Sequence, residues 1–441
     1  MRRLHERYWD ELVVIGVHSP KFPHERETAN VREAVRRHAV RAPVVNDTAM
    51  EMWKLYGVSA WPTIALVDPR GSYLGSYPGE VDVRELSAVL DLLIADFDAQ
   101  GAIDRTPLGI APESAADGSP LLYPSKLLPG EDGRLFVADT GHHRVLETRV
   151  SPDGASARVV RAFGSGRADL VDGPASESAF HCPRGLAANG STLYVADTGN
   201  HAVRAIDLAS GSVRTVAGTG ELGRTCALPK TGPTETPLRS PWALLFVEEI
   251  LFIAMAGSHQ LWVLVADKDI GVFAGNGREA LVDGPRAEAS FNQPSDLAIG
   301  MGHLFVADPE ASAVRAVSLD ANPQVLSLVG RGLFEFGDVD GQGNEVRLQH
   351  PGGVAFQEGK VYIADSYNHK VKRLDPTTGH VQTVLGTGRP GHSDGPFERA
   401  ELWEPDGLAI AGGRVYLADT NNHAIRVADL AARTVSTLAL V

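Results

Sequence analysis

The chain has 441 residues and a mass of 47.0 kDa, with 43% hydrophobic and 22% charged residues, a globular rather than a disordered composition. Forty-one basic against 55 acidic residues leave a formal charge of −14, which counts against broad phosphate-backbone binding and against nucleic acid as a partner. Two cysteines, Cys182 and Cys226, exclude a Cys-rich zinc site and any disulfide framework beyond one bridge. The longest apolar region, 242–256, is broken by Glu248 and Glu249, so no membrane span is expected and a reducing, cytoplasmic setting is the reading.

Residues 1–100 read as a small α/β layer. The run Val13-Val14-Ile15-Gly16-Val17 predicts a buried strand, residues 25–40 a helix, Pro43-Val44-Val45 a short extended piece and residues 48–56 a second helix. Trp61-Pro62 leads into a hairpin, with Ile64 to Asp68 as one arm, a Pro69-Arg70-Gly71 turn and Tyr73 to Tyr77 as the other. Asp82 and Glu85 have capping-box spacing, and Val83, Leu86, Leu90, Leu93 and Phe97 recur on one face of the helix that follows. Residues 101–118 read as a linker.

From residue 119 the chain repeats. Six segments of the type Pro-x-Gly-Leu-Ala begin at Pro124, Pro183, Pro241, Pro294, Pro351 and Pro405, spaced by 59, 58, 53, 57 and 54 residues. Each is followed by an apolar strand ending in Asp139, Asp197, Asp308, Asp365 or Asp419, with Met255 in the third repeat. A turn and two more strands complete the unit, as in 200–207 and 213–217. Four short antiparallel strands repeated six times predict a six-bladed β-propeller over 119–441. The last unit carries its own fourth strand, 434–440, so closure needs no strand exchanged between the termini.

The Pro-x-Gly-Leu-Ala and Tyr-Val-Ala-Asp-x-x-Asn-His-x-Val-Arg patterns, nearly complete around Asn200, Asn368 and Asn422, resemble NHL repeats over about 320 residues. Repeats three and four depart, with Met255 for the Asp and Pro309 opening the turn. The stretches 14–22 and 56–63 resemble the later part of a thioredoxin-like domain, with Pro62 where that fold keeps a cis-proline. Together they look like the thioredoxin–NHL fusion proteins. In that family a Cys-x-x-Cys opens the first helix; here the chain starts inside what would be that helix. The resemblance therefore implies either a start upstream of Met1 or a degenerate domain.

Thiol chemistry needs an activated thiolate beside a second sulfur, and Cys182 and Cys226, 44 residues apart, form no such motif. The strand alternation places the residues flanking the six prolines around one channel mouth. His181, Arg184, Trp242, His350, Glu404 and Asp406 are the candidate partner or substrate residues, a set suited to a peptide end or a polar small molecule. The alternative is that they pair among themselves. The positions after the prolines lack the histidines of a zinc lyase, leaving only a weak calcium option at Glu404 and Asp406, so no metal or cofactor is expected. His143, His201, His259, His369 and His423 read as outer-turn and interblade hydrogen-bonding groups, and the blade aspartates as turn anchors. Arg204, Arg315, Lys372 and Arg426 read as blade packing. Asp172, Asp283, Asp340 and Asp394, each followed by Gly and each 11 residues before its blade proline, read as turns.

The sequence thus points to an all-β six-bladed propeller behind a small incomplete thioredoxin-like domain whose Trp61 and Pro62 mark its cis-proline region, read as a rigid fold turn with a peptide-facing role as the alternative. The expected role is a non-catalytic scaffold that engages a protein or peptide. The alternatives are a thiol–disulfide protein with its cysteines encoded upstream, and a channel hydrolase or lyase.

Overall fold

The computed structural model describes all residues except 1, 80, 107, 111–112, 114–117 and 224–231. Cys226 therefore lies outside the described residues. The chain divides into two compact units, Met1–Asp117 and Gly118–Val441.

In the first unit, α1 (Arg2–Arg7) precedes β1 (Gly16–His18), α2 (Thr28–Arg37), β2 (Val44–Asn46), α3 (Glu51–Leu55), the hairpin β3 (Thr63–Val67) and β4 (Tyr73–Pro78), and α4 (Val83–Ala99). Strands β1 and β2 pair in parallel, while β3 and β4 form a separate antiparallel pair. The expected buried strand is instead exposed: Val13, Ile15 and Val17 are 52%, 57% and 44% accessible. A sheet of only two strands leaves its apolar residues without enough neighbouring surface to cover them. Asp47 starts α3 by accepting the Glu51, Met52 and Trp53 amides at 2.7–3.1 Å. Asp82 caps α4 through the Arg84 amide at 2.8 Å, and Leu86 and Leu90 pack onto Leu4 and Tyr8. The Trp61–Pro62 bond is cis. Arg105 pairs with Asp98 at 2.7 Å, and Glu113 with Arg32 at 2.9 Å, so these linker residues fold back onto the first unit.

The second unit is a ring of six antiparallel four-stranded blades. Blade 2 is typical, with strands Pro183–Asn189, Thr192–Asp197, Ala202–Asp207 and Val213–Ala217. Alternation of strand direction brings the first strands of neighbouring blades together around the axis. Six apolar clusters fill the six seams between blades. Between blades 5 and 6, for example, Val371, Leu385, Phe397 and Leu417 meet. Burial of these faces is the adhesive between blades, at about 25 cal/mol per Å² of apolar surface.

Closure differs from the expectation at one point. Thr434–Thr437 completes blade 6, but Ala439–Leu440 crosses to blade 1 and pairs in parallel with Ser156 and Ala157. The expected single strand 434–440 is thus divided between two blades, and the C-terminal residues tie the last blade to the first.

Candidate functional site at the channel

Each inner strand enters the channel at its proline. Two residues later most blades carry a small residue: Gly185, Ala243, Gly353 and Gly407. The reason is crowding, since a Cβ on Gly407 would stand 2.2 Å from the Ser125 carbonyl and one on Gly353 2.3 Å from the Asp406 carbonyl. Blades 1 and 4 break this pattern with Lys126 and Asp296, both charged and both carried into the channel. These two were missed as site residues; a charge where the other repeats hold Gly or Ala was the available signal.

Lys126 spans the channel. Its Nζ lies 3.2 Å from Asp296 Oδ2 of blade 4 and 3.3 Å from Asp406 Oδ1 of blade 6, and donates to the Gly352 carbonyl of blade 5 at 2.7 Å. Asp406 Oδ2 accepts from Arg184 of blade 2 at 3.2 Å, and the Arg184 guanidinium lies 4.0 Å over the Trp242 ring of blade 3. Asp296 also accepts the Leu297 and Val354 amides at 3.0 and 3.1 Å. Burial pushes the Asp296 carboxyl above its ordinary range, and the Lys126 ammonium pulls it back. Two cations and two carboxylates from four of the six blades thus neutralise one another. Trp242 keeps one loose end: its indole Nε1 is buried with no hydrogen-bond partner among the described residues.

Of the six anticipated site residues, Arg184, Trp242 and Asp406 come together. His181, His350 and Glu404 do not join them; they lie in the seams. The His181 ring sits 5.6 Å from that of His143. His350 stacks on Tyr367 at 4.2 Å and its Nε2 lies 3.3 Å from Glu310. Glu404 is buried and gives its amide to His369. Asp406 is held by two cations, which leaves a poor calcium ligand, and among the described residues no group of three or more His, Cys, Asp or Glu could hold a metal ion.

The seams carry a repeated latch. The residue before each blade proline has φ between +47° and +61°, a left-handed conformation costly for non-glycine residues. Its amide points at the preceding blade, where a second left-handed residue accepts it. His143, His201, His259, His369 and His423 accept through Nδ1 from Cys182, Ser240, Gln293, Glu404 and Tyr123, at 3.1–3.3 Å. Ser312 accepts from His350 at 3.2 Å in the one seam without histidine at this position. These histidines are interblade groups as expected, but they sit between strands two and three beside the channel entries, not on an outer turn. Thr140, Thr198, Ser366 and Thr420 add a hydroxyl bond to the next blade's proline carbonyl at 2.6–2.8 Å.

The blade aspartates do a related job within their own blades. Asp197 Oδ1 accepts the His181 amide at 2.7 Å, and Asp139, Asp308, Asp365 and Asp419 grip the equivalent residue. They anchor the strand entry, where a turn had been expected. The other oxygen of Asp197 meets Arg204, fully buried, which also reaches Asp172 at 2.7 Å and two carbonyls. Arg315 and Arg426 repeat this, and Lys372 stands in for arginine between Asp338, Asp340 and Asp365. The Asp-Gly turns are therefore the outer half of a buried cation clamp. Blade 3 replaces the clamp with Met255 and Trp262, both in its apolar cluster.

Six blades with these latches and clamps define a repeat propeller, and residues 180–206, 348–374 and 402–428 match the NHL repeat. These are blades 2, 5 and 6, so the propeller carries NHL repeats. Over 97% of its length the chain is 41% identical to Protein SUPPRESSOR OF QUENCHING 1, chloroplastic, of Arabidopsis thaliana, 42% of which it covers. It is 38% identical to NHL repeat-containing protein 2 of Gallus gallus, covering 100% of this chain and 65% of that protein, and 38% identical to the Homo sapiens protein, covering 97% and 63%. The chain thus spans 42% to 65% of the length of these relatives. Among solved structures it resembles a nidogen/laminin complex (TM-score 0.46, 14% identity, 69% of this chain and 93% of that chain). It also resembles a streptogramin B lyase (TM-score 0.45, 10% identity, 74% of this chain and 85% of that chain). Likeness at that level says nothing about chemistry. Among the described residues no helix is long and apolar enough to cross a membrane.

Proposed function

We propose that the propeller is a binding scaffold whose channel mouth engages a protein or peptide. One observation carries this reading: an indole N–H without a partner among the described residues stands beside an arginine stacked on the same ring. A buried donor left unsatisfied costs about 1–3 kcal/mol, which a carbonyl or carboxylate from a peptide would recover. The pairing of Lys126, Asp296, Asp406 and Arg184 supports a scaffold over the hydrolase or lyase alternative, because charges that satisfy one another are not poised for a substrate. The test is binding of native-source partners, or of a peptide array, to the full chain and to two variants. Trp242→Phe removes the N–H together with part of the ring, and Arg184→Gln removes the guanidinium with its charge. Each is expected to weaken binding at least tenfold; equal binding by all three proteins refutes the mouth as the site.

For the first unit we propose a thioredoxin-like remnant. The order of its elements and the cis Trp61–Pro62 bond support that reading. The redox alternative needs cysteines that residues 1–117 do not contain. Intact mass of the alkylated native protein tests it, since extra alkylated cysteines would favour redox chemistry. The cytoplasmic setting is likewise a proposal, and fractionation of the tagged native protein tests it against the organelle in the Arabidopsis relative's name.

A further inference from the structure

The latch ring contains a chemical asymmetry that is independent of what the mouth binds. A backbone amide can only donate, so a histidine Nδ1 that accepts one must present its lone pair. A proton on that nitrogen would set two donors face to face. A serine hydroxyl in the same place accepts without this liability.

We propose that the histidine latches are acid-labile, so that protonation of His143 at the entry of blade 2 and of His201 at its exit loosens those two seams relative to the seam between blades 4 and 5, which Ser312 closes. His143 Nδ1 accepts the Cys182 amide at 3.2 Å, and His201 Nδ1 the Ser240 amide at 3.2 Å. The groups facing them decide how hard protonation is. His143 faces His142 and Asp139 on its own blade, and His181 and the Cys182 thiol across the seam. His201 faces His181 on its own blade, and Arg239 and the Ser240 hydroxyl across the seam. Burial first, and then His181 together with His142 beside His143 and Arg239 beside His201, push both imidazoles down to about 4. Their folded values lie below the ordinary 6.5, so the stabilisation is complete above pH 6.5 and is lost as pH falls toward 4.

The seam between blades 4 and 5 is the internal reference. There Ser312 Oγ accepts the His350 amide, and the His350 ring lies 3.3 Å from Glu310. Asp197 and Asp365 grip the preceding amide in the same way at 2.7 and 2.8 Å, so the carboxylates are common to the blade 2 entry and the reference and cancel.

The experiment is amide hydrogen exchange on the full chain at pH 7 and pH 5, at residue resolution and corrected for the intrinsic rate. Linkage from 6.5 to about 4 gives roughly a 20-fold loss of protection between pH 7 and pH 5 for an opening that frees one histidine. Partial exposure reduces this to about tenfold. The Cys182 and Ser240 amides are therefore expected to lose about tenfold protection relative to His350. His143→Ser should abolish the response at Cys182 while keeping its protection at pH 7. Ser312→His, which leaves blade 2 untouched, should make the His350 amide acid-labile. Parallel behaviour of all three amides in the unsubstituted chain, or no gain of lability in Ser312→His, overturns the proposal.

Discussion

Replacing Lys126 by methionine keeps most of the stem that crosses the channel and removes only the ammonium. The Gly352 carbonyl retains the Ser295 hydroxyl at 3.0 Å, and Asp406 retains Arg184 at 3.2 Å. Asp296 keeps only two backbone amides, so the loss concentrates on one buried carboxylate. Breaking a buried pair on one side costs about 3–5 kcal/mol. Asp296 already has its carboxyl raised by burial, and without Lys126 it rises further. A carboxyl whose folded value exceeds its unfolded one contributes stability that is present at low pH and lost as pH rises through the folded value. Urea unfolding followed by tryptophan fluorescence should therefore show Lys126→Met destabilised by about 3–4 kcal/mol at pH 8 and by about half that at pH 5. Adding Asp296→Asn should restore all but about 1 kcal/mol at pH 8. A loss below about 1 kcal/mol at pH 8, or an equal loss at both pH values, would refute the reasoning that Lys126 closes the channel by compensating Asp296.

Two further predictions concern the blades. Arg204→Met leaves Asp197 buried without its cation and should cost about 3–5 kcal/mol in the same assay, whereas Asp197→Met with Arg204→Trp, which copies blade 3, should recover most of it. A double variant no better than the single one would show that the clamp is not an isolated unit. Gly407→Ala drives a methyl against the Ser125 carbonyl and should lower stability by about 1–3 kcal/mol without changing the urea slope; no change would show that the inner strands can spread at the axis.

Much of the propeller was legible because repetition multiplies weak signals. One Leu-Tyr-Val-Ala-Asp segment is ambiguous, but six at nearly even spacing are not. Arg204, Arg315, Lys372 and Arg426 were recognisable as packing groups by recurrence alone. The site was legible only in part. Arg184, Trp242 and Asp406 were found from their place beside the prolines, while His181, His350 and Glu404 share that place in the sequence and turn into the seams. Lys126 and Asp296 were overlooked because they are 170 residues apart. Only ring closure sets them across from one another.

The chain by itself determined the number of blades, the strand order within each, and the residue types at every latch and clamp, since these follow from local periodicity and turn chemistry. The tertiary structure alone decided which charges meet in the channel, where the last strand goes, and that Val13, Ile15 and Val17 face outward. Each of these depends on which distant segments arrive as neighbours. A side chain's own pattern records its preference for burial or pairing, but in the propeller the partner that satisfies it is supplied by the closed ring.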